Sequence, residues 1–144
     1  MIYLLDTIVL SELRKARNGR VDPAVAAWAE SVDPADLHLS VIAIMEVELG
    51  IAQVERRDCK QGALLGLWLH ERVMPAFAGR ILPIDTAIAV RCAHLRVSDP
   101  RSERDAWIAA TGLVRGLAIV TRNIADFAAT GATLLDPWQH ATNG

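Results

Sequence analysis

The sequence predicts an α/β fold in which a short, mainly parallel sheet is sandwiched by helices. Apolar runs of only four or five residues recur along the chain, too short for buried helices and bounded by polar or turn-forming residues. They alternate with longer amphipathic segments, the pattern of strands joined by crossover helices. No internal repeat, low-complexity tract or linker-like stretch divides the 144 residues, so a single domain spanning residues 1–144 is expected.

The elements follow in order. Ile2 to Leu5 reads as a buried strand and Thr7 to Ala16 as the helix after it. Asp22 is placed to cap a helix that contains Ala24 to Ala29, with Pro23 in its first turn. Leu37 to Ser40 is a second strand and leads into a long helix from Val41 to Arg57. Gln61 to Phe77 reads as a further helix closed by Gly79, then Arg80 to Pro83 as a strand and Thr86 to Val97 as a helix. Glu103 to Arg115 is a helix stopped by Gly116, Leu117 to Thr121 the clearest strand, and Thr133 to Leu135 a last short one. In such sheets ligands bind outside the carboxyl ends of the strands. Asp6 lies at one such end, and Thr121, Arg122 and Asn123 at another.

Composition narrows the classes of function. Hydrophobic residues make up 52% of the chain and charged residues 22%, with a mean hydropathy of +0.25, a globular balance with apolar surface left over for a partner. Apolar runs stop well short of the roughly 18 residues of a bilayer span, and the N-terminus lacks the basic region and cleavage site of a signal peptide. No membrane association and a cytoplasmic location are therefore expected. Cys59 and Cys92 stand apart, without CxxC or Cys/His spacing, and read as ordinary thiols rather than zinc ligands or a disulfide framework. A net charge of −2 argues against an overall electrostatic grip on nucleic acid. Local basic patches remain, chiefly Arg14, Lys15, Arg17 and Arg20, which also suit the C-terminal end of a helix dipole. His38, His70, His94 and His140 show no spacing of a catalytic pair, and the four tryptophans read as packing residues.

Four carboxylates recur at special places. Asp6 ends the first strand, where it would cap the following helix. Glu46 borders the apolar stripe of its helix instead of pointing straight to water. Asp105 shares a face with Ile108, Ala109 and Gly112, whose small side chains let that helix approach what lies beneath it, and its first-turn position suits the dipole. Asp126 follows the fourth strand by five residues, where it would cap a short helix over DFAAT. Each has a separate capping or dipole explanation, yet together they place acids repeatedly at strand ends and apolar helix edges. Carboxylates meeting in a cleft repel one another unless a cation sits among them. With no Cys or His at ligand spacing, an all-oxygen site suits Mg²⁺ or Mn²⁺, whose natural chemistry is metal-assisted phosphoryl transfer.

The stretches LLDTIVLSE, S-x-I-x-x-x-E-x-x-x-G from Ser40 to Gly50, DAWIAAT, TRNIADF and LLDPW together resemble a PIN-domain ribonuclease of the VapC/FitB toxin type, over nearly the whole chain. The resemblance implies a three-layer α/β/α sandwich and an acidic quartet of Asp6, Glu46, Asp105 and Asp126, supported by Thr7, Thr121, Arg122 and Asn123. It implies that three of the acids hold one or two Mg²⁺ or Mn²⁺ ions, with Asp126 completing a second site or acting through water. Thr121 and Asn123 are expected to orient the acids by hydrogen bonds, and Arg122 or the cluster near Arg14 to hold RNA phosphates. Cleavage by water would leave a 5′-phosphate and a 3′-hydroxyl. The implied partners are a cognate antitoxin, RNA as substrate, a second copy of the chain in a homodimer, and operator DNA reached only through the antitoxin.

One position departs from the family pattern. Where the family carries Asn two residues after the first Asp, this chain has Ile8. An apolar β-branched side chain cannot supply an amide's hydrogen bonds, so weakened catalysis is expected. The alternative reading is a PIN domain that no longer cuts and acts as an antitoxin-binding co-repressor module. Ile8 also counts against an aspartyl-nucleophile phosphatase, which needs a second Asp at that position. A phospho-acceptor receiver domain would need paired acids near the first strand and a late lysine, whereas Lys15 and Lys60 are the only lysines.

Overall fold

Strand β1 (Tyr3–Leu5) shows the principle of the whole architecture: Leu4 and Leu5 are both fully buried, one in the core on each face of the sheet. A strand buried on both faces belongs in the middle of a parallel sheet covered by helices. The computed structural model describes residues 1–98 and 102–141. The expected domain span of 1–144 also includes residues 99–101 and 142–144, which lie outside the described residues.

The chain continues through helices α1 (Thr7–Arg14) and α2 (Pro23–Ser31) to strand β2 (Leu37–Ser40), then α3 (Val41–Arg57), α4 (Cys59–Trp68) and a short α5 (Met74–Ala76). Strand β3 (Ile81–Leu82) precedes α6 (Thr86–Ser98) and α7 (Glu103–Arg115). Strand β4 (Ala118–Val120), the short helix α8 (Ile124–Phe127) and strand β5 (Leu134–Leu135) complete the α-helices and strands among the described residues. The five strands are ordered β3-β2-β1-β4-β5 and every pairing is parallel. Successive strands run outward in one direction from β1 to β3, and then the chain returns to the other side of β1 to place β4 and β5. The switch point lies between β1 and β4, where open α/β sheets bind ligands.

Leu5 and Val120 face a core built with Val9, Leu10, Trp28, Val47 and Ile51, beneath α1, α2 and α3. Leu4 and Ile119 face the opposite core with Ile108, Ala109 and Phe127, beneath α7 and α8. The expected parallel sheet between two helical layers is the observed one. Trp28 meets Tyr3 edge to face at 5.4 Å, and the tryptophans pack as expected.

Capping fixes the helix starts. Asp22 accepts from the amides of Ala24 and Val25 at the start of α2, and Ser40 from that of Ile42 at the start of α3. Helix α1 is shorter than the expected Thr7 to Ala16 and passes into a 3₁₀ segment, Lys15–Asn18, that ends at Gly19 in the left-handed region. The helix expected over Gln61 to Phe77 starts earlier, at Cys59, because Asp58 caps it, and it widens into a π-helical turn at Leu69–Val73. Pro75 explains the widening: its ring clashes with the carbonyl four residues back and it lacks an N–H, which a π turn accommodates. Strand β2 matches its expected run, and the other strands are trimmed by one residue at one or both ends. Asp126 does not cap a helix over DFAAT: α8 begins two residues before it, and Asp126 lies inside that helix, its amide donating to the Asn123 carbonyl at 3.0 Å.

Candidate active site

Asp6 is anchored from two directions. Its Oδ1 accepts from the Thr7 amide at 2.8 Å, so it does cap α1, and its Oδ2 accepts from the Thr121 hydroxyl at 2.8 Å. Thr121, fully buried just past β4, accepts in turn from the Asn123 amide at 3.0 Å. The chain segments after β1 and β4 are thus tied across the switch point by one carboxylate. Burial pushes the Asp6 carboxyl above the usual carboxylate range. The Thr121 and Thr7 hydrogen bonds pull it back in part, and the negative field of Asp126 adds to the rise.

Glu46, mostly covered on α3, is raised chiefly by burial. Arg104 opposes that rise, while the fields of Asp6 and Asp105 add to it. A guanidinium nitrogen of Arg104 stands 3.2 Å from Glu46 Oε2. The four acids therefore come from four separate places, the end of β1, α3, α7 and α8, and line one open cleft of about 450 Å³. Thr7, Ile8, Arg104 and Asn123 line the same cleft. The Ile8 side chain is partly exposed there.

Arg122 is not among the cleft residues; its guanidinium lies over the Trp138 ring at 5.0 Å. The basic cluster near Arg14 is also elsewhere, at the far end of α1, which at 1.5 Å per residue is about 12 Å from its start. There Arg14 covers the Trp68 ring at 5.8 Å and Lys15 pairs with Glu12 at 3.1 Å. His70 stands 3.0 Å from Glu48, and neither is among the cleft residues. Ser102 and Arg104 also line the cleft and were not singled out in the sequence; for Arg104, a cation beside Asp105 at the start of a helix, where the dipole disfavours it, was the available signal.

Among the described residues no three acidic, histidine or cysteine side chains stand close enough to chelate a metal ion as they are. The donor chemistry nevertheless suits a small hard cation. All the acids offer oxygen, their fields oppose one another, and the buried Thr7 Oγ1 faces Glu46 without a hydrogen-bond partner at bonding distance.

A five-stranded parallel sheet with acids gathered at its switch point defines a class. The family model for the PIN domain matches residues 3–132, and the chain belongs to the PIN-domain family. Within it, the relatives place the chain among the VapC/FitB toxins. It is 36% identical over 148 residues to VapC ribonuclease Y4jK of Sinorhizobium fredii, covering 97% of this chain and all of that protein (100%). It is 36% identical over 143 residues to toxin FitB of Neisseria gonorrhoeae, covering 95% of this chain and 99% of that one. The crystal structure of FitAcB from Neisseria gonorrhoeae superimposes with a TM-score of 0.86 at 33% identity, over 96% of this chain and 99% of that chain. A structure of FitAB bound to a DNA fragment gives a TM-score of 0.86 at 30% identity, over 99% of this chain and 100% of that one.

Proposed function

We propose that this chain is a single-domain endoribonuclease toxin of a toxin-antitoxin pair, hydrolysing RNA phosphodiester bonds at the cleft of Asp6, Glu46, Asp105 and Asp126 with Mg²⁺ or Mn²⁺. The observation that carries the proposal is the gathering of four carboxylates, from four separate elements, within one another's fields at the switch point of a PIN-family sheet.

Asp6, Glu46 and Asp105 would hold the divalent ion, with Asp126 at the exposed margin of the cleft. Bound there, the ion would lower the pKa of a water for attack on phosphorus and offset charge on the departing oxygen. Asp6 is positioned for this by the hydroxyl of Thr121, which the Asn123 amide holds in turn. The open shape of the cleft admits a polymer strand. Arg122 is displaced onto Trp138, so the proposal gives it no part in holding RNA.

Solved structures of FitAcB and of FitAB bound to a DNA fragment are similar to this one, which supports an antitoxin as partner and operator DNA reached through it. The second reading, a weakened or inactive toxin acting as a co-repressor, rests on one observation: Ile8 presents an apolar side chain to the cleft. An apolar group there offers no hydrogen bond to the acids or to water around them.

Cleavage of end-labelled RNAs by antitoxin-free protein tests both. The expected result is cutting that needs Mg²⁺ or Mn²⁺, stops with chelator, leaves 5′-phosphates and falls by roughly a hundredfold or more in Asp6→Asn, the scale of losing charge stabilisation at a reaction centre. Cyclic-phosphate ends, or cutting that survives chelation, would overturn the proposal. Cutting that appears only in Ile8→Asn would establish the second reading.

A further inference from the structure

Among the described residues, Arg104 is the cation that lines the acidic cleft. It occupies the second position of α7, in the helix's first turn, where the dipole disfavours positive charge. Helix propensity therefore does not explain its direction; Glu46 does, paired with it at 3.2 Å across 58 residues of sequence. The pair joins α7 to α3 within the lining of the cleft, with Glu46 mostly covered and the guanidinium half-exposed. Its field reaches Asp6 as well. Among the described residues, meanwhile, no three acids are gathered closely enough to chelate.

From this geometry we infer that Arg104 is a built-in competitor for the divalent ion: it neutralises Glu46 when the cleft holds no metal, and must release that carboxylate for an ion to bind. The inference rests on the metal-dependent reading above. The competition has a consequence specific to this chain. Apparent affinity for the ion is the intrinsic affinity reduced by the fraction of protein in which Glu46 is paired. A half-exposed guanidinium on a flexible stem can leave at modest cost, so the barrier to loading is small but present. Arg104 is thus a positioning residue, acting through Glu46.

Isothermal titration of the antitoxin-free full-length chain with MnCl₂ tests the inference, using wild type, Arg104→Gln, Arg104→Lys and Asp6→Asn. Folding is compared by circular dichroism, and the exposed position makes a folded Arg104→Gln protein the expectation. Arg104→Gln should bind Mn²⁺ roughly fivefold more tightly, the scale set by the loss of a partly exposed ion pair. Arg104→Lys, which keeps the charge, should stay close to wild type, and Asp6→Asn should bind far more weakly. Equal or weaker binding by Arg104→Gln, with wild type binding normally, would overturn the inference and leave the metal reading standing. Tightening of Arg104→Lys to the same extent as Arg104→Gln would also overturn it, because shape and not charge would then be responsible. No binding by wild type and Arg104→Gln alike would overturn the inference and the metal reading together.

Discussion

Asp6 combines two tasks that the sequence presents as alternatives. One carboxylate oxygen caps α1 and the other accepts from Thr121, so the residue is both a helix start and a fixed wall of the cleft. Burial raises its carboxyl, and the folded chain therefore takes up that proton more readily than the unfolded chain. Stability contributed by this group falls as pH rises from the ordinary carboxylate range through the raised value, and Glu46 acts in the same direction. Asp6→Asn removes the penalty while keeping a side chain of the same shape. In metal-free buffer the variant should resist urea better than wild type at neutral pH, and the gap should close on acidification to the ordinary carboxylate range, about pH 4. A gap that widens on acidification would refute this account of the site. At this scale the four acids were legible because each stands at a strand end or an apolar helix edge, positions where charge calls for a reason. Arg104 was not, because its role comes from a partner 58 residues away that no local pattern connects to it.

The helices whose spans were read most closely are those with strong end signals. Val41–Arg57 and Glu103–Arg115 match the reading at both ends, the first from Ser40 as cap and the second from Gly116 in the left-handed region. The junction of α3 and α4 was less legible. Asp58 both receives the end of α3, through its amide to the Val54 carbonyl at 2.8 Å, and caps α4 through its side chain, so two helices meet at one residue. The tight reversal requires Gly62. A Cβ there would overlap Cγ of Glu55 and lie 2.8 Å from its Cα, a backbone atom that cannot step aside alone. Gly62→Ala gains about 1 kcal/mol of helix propensity and loses more to overpacking, so a net destabilisation of about 1–2 kcal/mol is expected. Gly66, one turn further along the same helix, faces open space, and Gly66→Ala should gain stability by up to about 1 kcal/mol. Urea unfolding of the two variants beside wild type separates packing from propensity, and equal effects at both positions would show that the reversal is looser than the geometry requires.

At the scale of the molecule, the sheet order explains why acids distant in sequence share one cleft. Strands diverge from β1 in both directions, and the gap this leaves between β1 and β4 collects the residues that follow each strand, with α3 and α7 closing the sides. That convergence was legible from the alternation of short apolar runs with helices, since such sheets gather ligands at their carboxyl edges. The exact spacing of the acids was not, because it depends on how far each helix leans over the sheet. Among the described residues, folding brings four carboxylates together against the Arg104 guanidinium, so the native cleft stores repulsion that the unfolded chain lacks. An ion that binds only the assembled cleft should relieve that repulsion and stabilise the whole fold. At a free Mn²⁺ concentration about a hundredfold above its dissociation constant the gain is about 2.7 kcal/mol, and the melting temperature should rise by roughly 5–10 °C. In Asp6→Asn the rise should be largely lost, while Asp126→Asn, altering an acid at the exposed margin, should keep more of it than Asp6→Asn does. Thermal melts followed by circular dichroism check this, with Ca²⁺ and Mg²⁺ in parallel. An equal rise in wild type and Asp6→Asn would place ion binding elsewhere on the surface and separate the stability of the fold from its acidic cleft.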